Sequence, residues 1–257
     1  MGRIFGIAAA VVLAMAGRGD AQQAVYYNMD PTHFSGFGWY EDPQITLTSF
    51  NPTTNNTMTI FVADDIFITP NLPTSIGRVQ FTMFSDNFQT VTARPRLLFY
   101  NNNRADGGPG TFIAEYILNP ISINQNNVLL LDVDLGANPF NVDGSFWAGV
   151  AFDDMNGTLG ISEQELKHLG QGIFSPTPPN LGSSSDEYFH SSALNNWQIN
   201  NPQGQIDDFL GIIPANFGWA FYRFSGVPEP STFVLVAAAG GLGCWRLRRS
   251  RSRTARE

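Results

Sequence analysis

Arg78-Val79-Gln80-Phe81-Thr82-Met83 places an apolar side chain at every second position. That period marks a β-strand with one face buried and one wet, because successive side chains of an extended chain point to opposite sides. Working outward, strand-like segments are expected at 44–50, 58–68, 76–84, 93–100, 111–118, 128–135, 147–152 and 218–224. Leu129-Leu130-Leu131 is continuously apolar and fits a strand covered on both faces. Turn-forming clusters separate these runs: Asn51-Pro52, Pro70-Asn71-Leu72-Pro73, Asn101-Asn102-Asn103, Asp106-Gly107-Gly108-Pro109-Gly110 and Asn138-Pro139. About eight strands at this spacing, without alternating helical patterns, predict an all-β fold: a single antiparallel β-sandwich of jelly-roll-like form.

One short helix is expected at 162–169, opened by the capping hydroxyl of Ser162 and stopped by Gly170. Residues 170–216 are rich in Pro, Ser, Asn and Gly and read as a long loop, pinned by Tyr188, Phe189 and Trp197.

The composition supports strands and turns. Among 257 residues there are 21 Phe, 7 Tyr and 5 Trp, and only 14% are charged. The formal net charge of −8 conceals an asymmetry. Residues 22–226 hold six basic side chains (Arg78, Arg94, Arg96, Arg104, Lys167, Arg223) against nineteen acidic ones. Such an acidic body excludes a nucleic-acid surface, which needs a positive footprint to neutralise phosphates. The single cysteine, Cys244, lies outside the body, so the body is expected to contain no disulfide.

The two ends read as targeting segments around one domain. Residues 1–21 have the form of a signal peptide: Arg3, an apolar core over 4–16, and Gly19-Asp20-Ala21 as a cleavage site, with Ala24 as an alternative. The organisation expected is therefore a signal peptide at 1–21, an exported β-sandwich domain at 22–226 and a sorting tail at 227–257.

Catalytic signatures are sparse. There is no G-x-S-x-G elbow and no H-E-x-x-H, and His33, His168 and His190 stand in no recognisable context. Gly107-Gly108-Pro109-Gly110 lacks the lysine and helix of a phosphate loop and reads as a hairpin turn. Calcium is the one cofactor the carboxylates suggest. With Gly157 at the sharp turn, Asp154, Asn156 and Glu163 fall on ligand positions of an EF-hand-like loop, although Phe152 occupies the first position and no helix precedes it. Asp64-Asp65, Asp132 and Asp134 are further carboxylates that a calcium site elsewhere in a sandwich could use. Glycoside hydrolysis requires two carboxylates facing across a cleft, and so many acids supply pairs without singling one out. Aromatics can also stack on sugars. Trp39, Tyr40 and Trp197 are the glycan-binding candidates, being expected in loops, whereas Trp147 and Trp219 sit in strand-like runs and are expected in the core.

The tail is the most explicit stretch. Val227-Pro228-Glu229-Pro230 is a stiff step, because each proline fixes φ and removes a donor. The uncharged run from Pro230 to Trp245 would span about 24 Å as helix, against a hydrocarbon core of about 30 Å. Arg246, Arg248, Arg249, Arg251 and Arg253 then form a charged stop that favours the cytoplasmic side. A motif, an apolar helix and an arginine cluster in this order resemble the PEP-CTERM sorting signal of Gram-negative bacteria. The resemblance implies recognition by exosortase, a membrane-embedded cysteine protease-like enzyme, and processing near the Pro-Glu-Pro step. It implies a protein held at the inner membrane with its body in the periplasm, then delivered to the cell surface or exterior, often where exopolysaccharide is made. The segments Phe146-Trp147-Ala148-Gly149-Val150 and Asn216-Phe217-Gly218-Trp219 are similar to those of exported sandwiches that precede such tails. The function expected is a non-enzymatic surface or extracellular-matrix protein. A carbohydrate-binding module and a secreted hydrolase are the alternatives.

Overall fold

In the computed structural model the described residues are 22–30, 34–39, 48–49, 57–125, 127–174, 179–191, 202–208 and 216–224. The alternating stretch at 78–83 lies within β6 (Pro73–Ser85), the spine of one antiparallel sheet. One edge of β6 pairs with β17 (Trp219–Arg223), which carries β1 (Ala24–Tyr27) on its far side. The other edge pairs with β10 (Asn127–Asp134) and β11 (Phe140–Asp143). At the end of β6, β13 (Leu169–Phe174) joins the sheet and also pairs with β2 (Phe34–Trp39) and β16 (Asn216–Phe217).

The second sheet is built on β12 (Ser145–Asp153), flanked by β5 (Val62–Phe67) and β7 (Val91–Asn101). Beyond β5 lie β14 (Glu187–Ser191) and β15 (Gly204–Asp208). Beyond β7 lie β8 (Phe112–Ile117) and β9 (Ile121–Ile123), and β3 (Thr48–Ser49) with β4 (Thr57–Met58) closes one end. The molecule is thus nearly all β, sandwich-like, with one short helix, α1 (Glu163–Lys167), among the described residues.

Period-two patterning explains how the layers meet. Val79, Phe81 and Met83 of β6 are fully buried and join Phe146, Ala148, Val150 and Phe152 of β12 in one core. Phe99 of β7 sits at its centre, stacked on Phe140 with ring centroids 4.3 Å apart. It meets Phe146, Phe221 and Trp219 edge-on at 6.2, 6.1 and 6.5 Å. Edge-to-face rings at these separations add favourable quadrupole contacts to the burial of apolar area. The opposite face of the second sheet carries another apolar cluster, including Phe61, Leu98, Tyr100, Trp147 and Phe189. Gly149 permits it: a Cβ there would fall 2.2 Å from the Phe61 ring, so only a glycine lets that ring approach the strand.

The expected strands at 76–84, 93–100, 111–118, 128–135, 147–152 and 218–224 are present, and Trp147 and Trp219 are core residues. Four expectations are corrected. The run 58–68 is not one strand, because Thr59–Phe61 break from the ladder, Phe61 N donating to Ser191 Oγ at 2.8 Å. Leu129-Leu130-Leu131 is covered on one face only: β10 lies against β6 as an edge, and Leu130 is 60% exposed. The helix ends earlier than Gly170. His168 caps it, its N–H donating to Glu165 O, and Leu169 and Gly170 already pair with β6. Its start is as expected, a capping box in which Ser162 Oγ accepts from Glu165 N while Glu165 Oε2 accepts from Ser162 N. Finally, 170–216 is not a plain loop, since β13, β14, β15 and β16 all fall at or inside it.

Among the described residues no helix is long and apolar enough to cross a membrane. The expected signal peptide at 1–21 and the expected tail helix within 227–257 lie outside them.

The position of Phe99 makes its truncation diagnostic. Phe99→Ala is expected to lower stability by about 3–5 kcal/mol, whereas Phe88→Ala, at an 89% exposed ring, should stay within about 0.5 kcal/mol. Equilibrium urea unfolding checks both, with the midpoint moving and the slope unchanged.

Candidate functional site

Four described carboxylates are buried: Asp64, Asp65, Asp153 and Asp154. They are handled in different ways. Asp153 ends β12 and faces the arginines of its neighbour β7. Arg94 donates to it bidentately through Nε at 2.7 Å and Nη2 at 2.8 Å, and Arg96 Nη1 approaches at 3.4 Å. Arg96 also donates Nε to Glu115 Oε1 at 2.7 Å on β8. The antiparallel register, Asp153 opposite Arg94 and Ala151 opposite Arg96, stacks these groups on one face. Each charge meets an opposite one, as burial demands.

Asp154 is spent on the backbone. Its Oδ1 accepts from Thr57 N at 3.0 Å, and its own N–H donates to Thr57 O at 3.0 Å. Met155, Asn156 and Gly157 follow with φ of 52°, 60° and 76°, three left-handed residues in succession. Glu163 is half-exposed in the first turn of α1 and pairs with Lys167 at 3.5 Å. Among the described residues no group of three or more His, Cys, Asp or Glu is placed to hold a metal ion.

Asp64 and Asp65 differ from Asp153 in having no cationic partner among the described residues. They are neighbours on β5, and no described Lys, Arg or His is ion-paired with either. Instead the Ser184 hydroxyl lies 2.9 Å from Asp64 Oδ1, 3.0 Å from Asp65 Oδ1 and 2.7 Å from Asn216 Oδ1. Phe217 N donates to Asp64 Oδ2 at 3.1 Å, and Ser185 N donates to Asp65 Oδ1 at 2.9 Å. The site joins both sheets: Asp64 and Asp65 come from β5, and Asn216 and Phe217 come from β16. Ser184 is delivered by residues 181–185, which bridge to Tyr27 through Leu181 and to Phe67 through Ser183. Tyr26 of β1 closes the cluster. It is fully buried, and among the described residues its hydroxyl makes no hydrogen bond.

The electrostatics follow from burial. Loss of water pushes the Asp64 carboxyl well above the usual carboxylate range, and the neighbouring Asp65 charge pushes it further. Asp65 is raised by burial, while hydrogen bonds from Ser185 and Ser184 oppose the rise. The Tyr26 phenol is held well above its ordinary value by burial first and then by the Asp64 charge.

The other candidates are dispersed. Trp39 is the last residue of β2, its backbone paired with Gly170, and so it is not in a loop as expected. The β2 stretch zips onto glycine-containing β13, whose pairing comes from the backbone. The Trp39 side chain, Tyr40, Trp197 and His33 lie outside the described residues. His168 Nδ1 bonds Asp86 at 2.9 Å and His190 Nε2 bonds Asp207 at 2.7 Å. A groove of 650 Å³ runs between β8 and β11, lined by Glu115, Tyr116, Asn138, Phe140 and Asn141 among others. Sequence reasoning marked Asp64-Asp65 but missed Tyr26, Ser184 and Asn216, which carry no local signal.

The sorting residues Val227, Pro228, Glu229 and Pro230, and the arginines Arg246, Arg248, Arg249, Arg251 and Arg253, also lie outside the described residues. Residues 226–249 match the family model of the PEP-CTERM protein-sorting motif. The chain carries a PEP-CTERM sorting motif. Its presence supports an exported protein that is sorted by exosortase. No curated protein and no solved structure is a match for this chain.

The contrast between buried charges gives a prediction. Asp153→Ala leaves two arginines facing a void and should cost about 3–5 kcal/mol. Asp106→Ala, which removes a pair whose carboxylate is 62% exposed, should cost about 1 kcal/mol or less. Thermal unfolding of the two variants beside the wild type measures the difference.

Proposed function

We propose that this is a non-enzymatic cell-surface or extracellular-matrix protein. A signal peptide at 1–21 sends it across the inner membrane. A helix within 227–257 tethers it there with the jelly-roll-like body in the periplasm, and an exosortase-like enzyme then processes it near Pro228-Glu229-Pro230 for delivery to the surface or exterior. The match at 226–249 carries this reading. The acidic body and the tail arginines support the orientation, since basic flanks stay cytoplasmic. A structural role is supported by the described titratable groups, many of which are tied into cross-strand pairs such as Arg94–Asp153 and Arg78–Asp132.

Removing residues 227–257 should abolish membrane tethering and surface delivery, and replacing Pro228 and Pro230 by Ala should leave the unprocessed chain in the inner membrane. Fractionation with mass determination reads both. An unchanged distribution of both variants would overturn the sorting route.

A carbohydrate-binding role is the second reading, favoured by the groove beside Tyr116, where an aromatic ring and the amides of Asn138 and Asn141 line one open surface. Exopolysaccharide is the partner this implies. Binding of the purified protein on a glycan array, weakened by Tyr116→Ala, is the expected outcome. Uniformly blank spots would remove it.

A further inference from the structure

Three acceptor oxygens from three separate side chains converge on one point in the interior. The Ser184 hydroxyl has a single proton, yet it stands within 3.0 Å of Asp64 Oδ1, Asp65 Oδ1 and Asn216 Oδ1. A hydroxyl can donate one hydrogen bond, so this gathering of oxygens calls for more positive charge than the proton supplies. Asp64 is fully buried and Asp65 is 6% exposed. The charged neighbours acting on the pair are carboxylates too: Asp65 on Asp64, and Glu187 on Asp65. The same protein shows the ordinary solution at Asp153, where two arginines meet one buried acid. Among the described residues Asp64 and Asp65 have no such partner.

The second observation is Tyr26. Its hydroxyl is fully buried beside the Asp64 charge, and its polar neighbours Ser184 and Asn28 fall short of hydrogen-bond geometry to it. A buried polar atom left in this way costs free energy unless something within the cluster takes it up.

We infer that Asp64, Asp65, Asn216 and Ser184 form a calcium site that clasps the two sheets together. The donor set is all oxygen and carries two negative charges, which selects a hard cation over a transition metal. Calcium is favoured over magnesium because four side chains drawn from three separate segments, β5, 181–185 and β16, give an irregular, adaptable shell, whereas magnesium demands a near-ideal octahedron and keeps its water. The ion takes the centre that the oxygens now share with the Ser184 proton, and Ser184 Oγ becomes a ligand. Backbone donors already fix the carboxylates: Phe217 N holds Asp64 Oδ2 and Ser185 N holds Asp65. Two carboxylates with neutral oxygens suit the weaker extracellular class of calcium sites, with a Kd of about 10⁻⁴–10⁻³ M.

The test uses the full chain in detergent, stripped with EDTA and then given 5 mM calcium or 5 mM magnesium. Calcium is expected to raise the unfolding midpoint by roughly 5 °C, and magnesium by much less. Asp64→Asn with Asp65→Asn should lose the calcium response. In EDTA the same double variant should be at least as stable as the wild type, since two facing charges are gone. Asp154→Asn with Glu163→Gln, and Asp132→Asn with Asp134→Asn, should keep the calcium response. A second measurement stands apart from whether the double variant folds: calorimetric titration of the wild type should show one calcium site per chain, weakened at least about tenfold by Asn216→Ala. The inference is overturned if the wild type shows no calcium response, if the response survives Asp64→Asn with Asp65→Asn, or if it disappears with Asp154→Asn and Glu163→Gln.

Discussion

The sandwich depends on the aromatic contact between its two layers. Phe99 and Phe146 on the second sheet meet Phe140, Trp219 and Phe221 on the first, and the closest cross-layer pair, Phe99 with Phe140, has ring centroids 4.3 Å apart. Rings of this size bury more apolar area per residue than aliphatic side chains, which suits a body with many Phe and few charges. Once these rings fix how the layers lie, strand register follows, because a one-residue slip would turn every ring outward. The polar features then fall where the rings leave room. The Asp153 network lies at the end of β12, and the Asp64–Asp65 cluster lies where β5 comes near β16.

How much of this the sequence made legible depends on distance along the chain. The alternation in 78–83 lies within one strand and needs no partner to be read, and the capping box of Ser162 and Glu165 spans three residues. The sorting motif is likewise contiguous. By contrast, Leu169-Gly170-Gln171-Gly172 has no strand-like pattern of its own, and it is extended because β2 and β6, remote in sequence, offer it backbone partners. The three leucines at 129–131 could not reveal that β10 has only one sheet neighbour of substance. The candidate site is the extreme case. Ser184 meets Asp64 across 120 positions, and Asn216 reaches Ser184 across 32. Asp64-Asp65 stood out as a pair, but no local pattern announces which hydroxyl and which amide the fold will bring to it.

The two sets of buried carboxylates show how one fold solves the same problem twice. Taking a charge out of water is tolerated when an opposite charge comes with it. On β12 the opposite charges are covalent parts of the chain, supplied by alternate positions of β7. On β5 the flanking strands are β12 and β14, and neither places a basic residue opposite Asp64 or Asp65. Segment 181–185 fills the gap with hydroxyls and backbone N–H groups, which orient carboxylates without neutralising them.

The arrangement of β1, β17 and β6 has a consequence for how the protein is made. β17 lies between β1 and β6, so the strand that joins the earliest part of the body to the spine of its sheet is the last of the described strands to leave the ribosome. Until Trp219–Arg223 arrives, β1 has no strand partner in its sheet, one edge of β6 stays open, and the rings of Phe99 and Phe146 face no Trp219 or Phe221. Contacts that span nearly the whole body must wait for their loop to close. A body built in this order cannot complete the contact between its layers until β17 has emerged, so the last aromatic rings of the core close it late in synthesis.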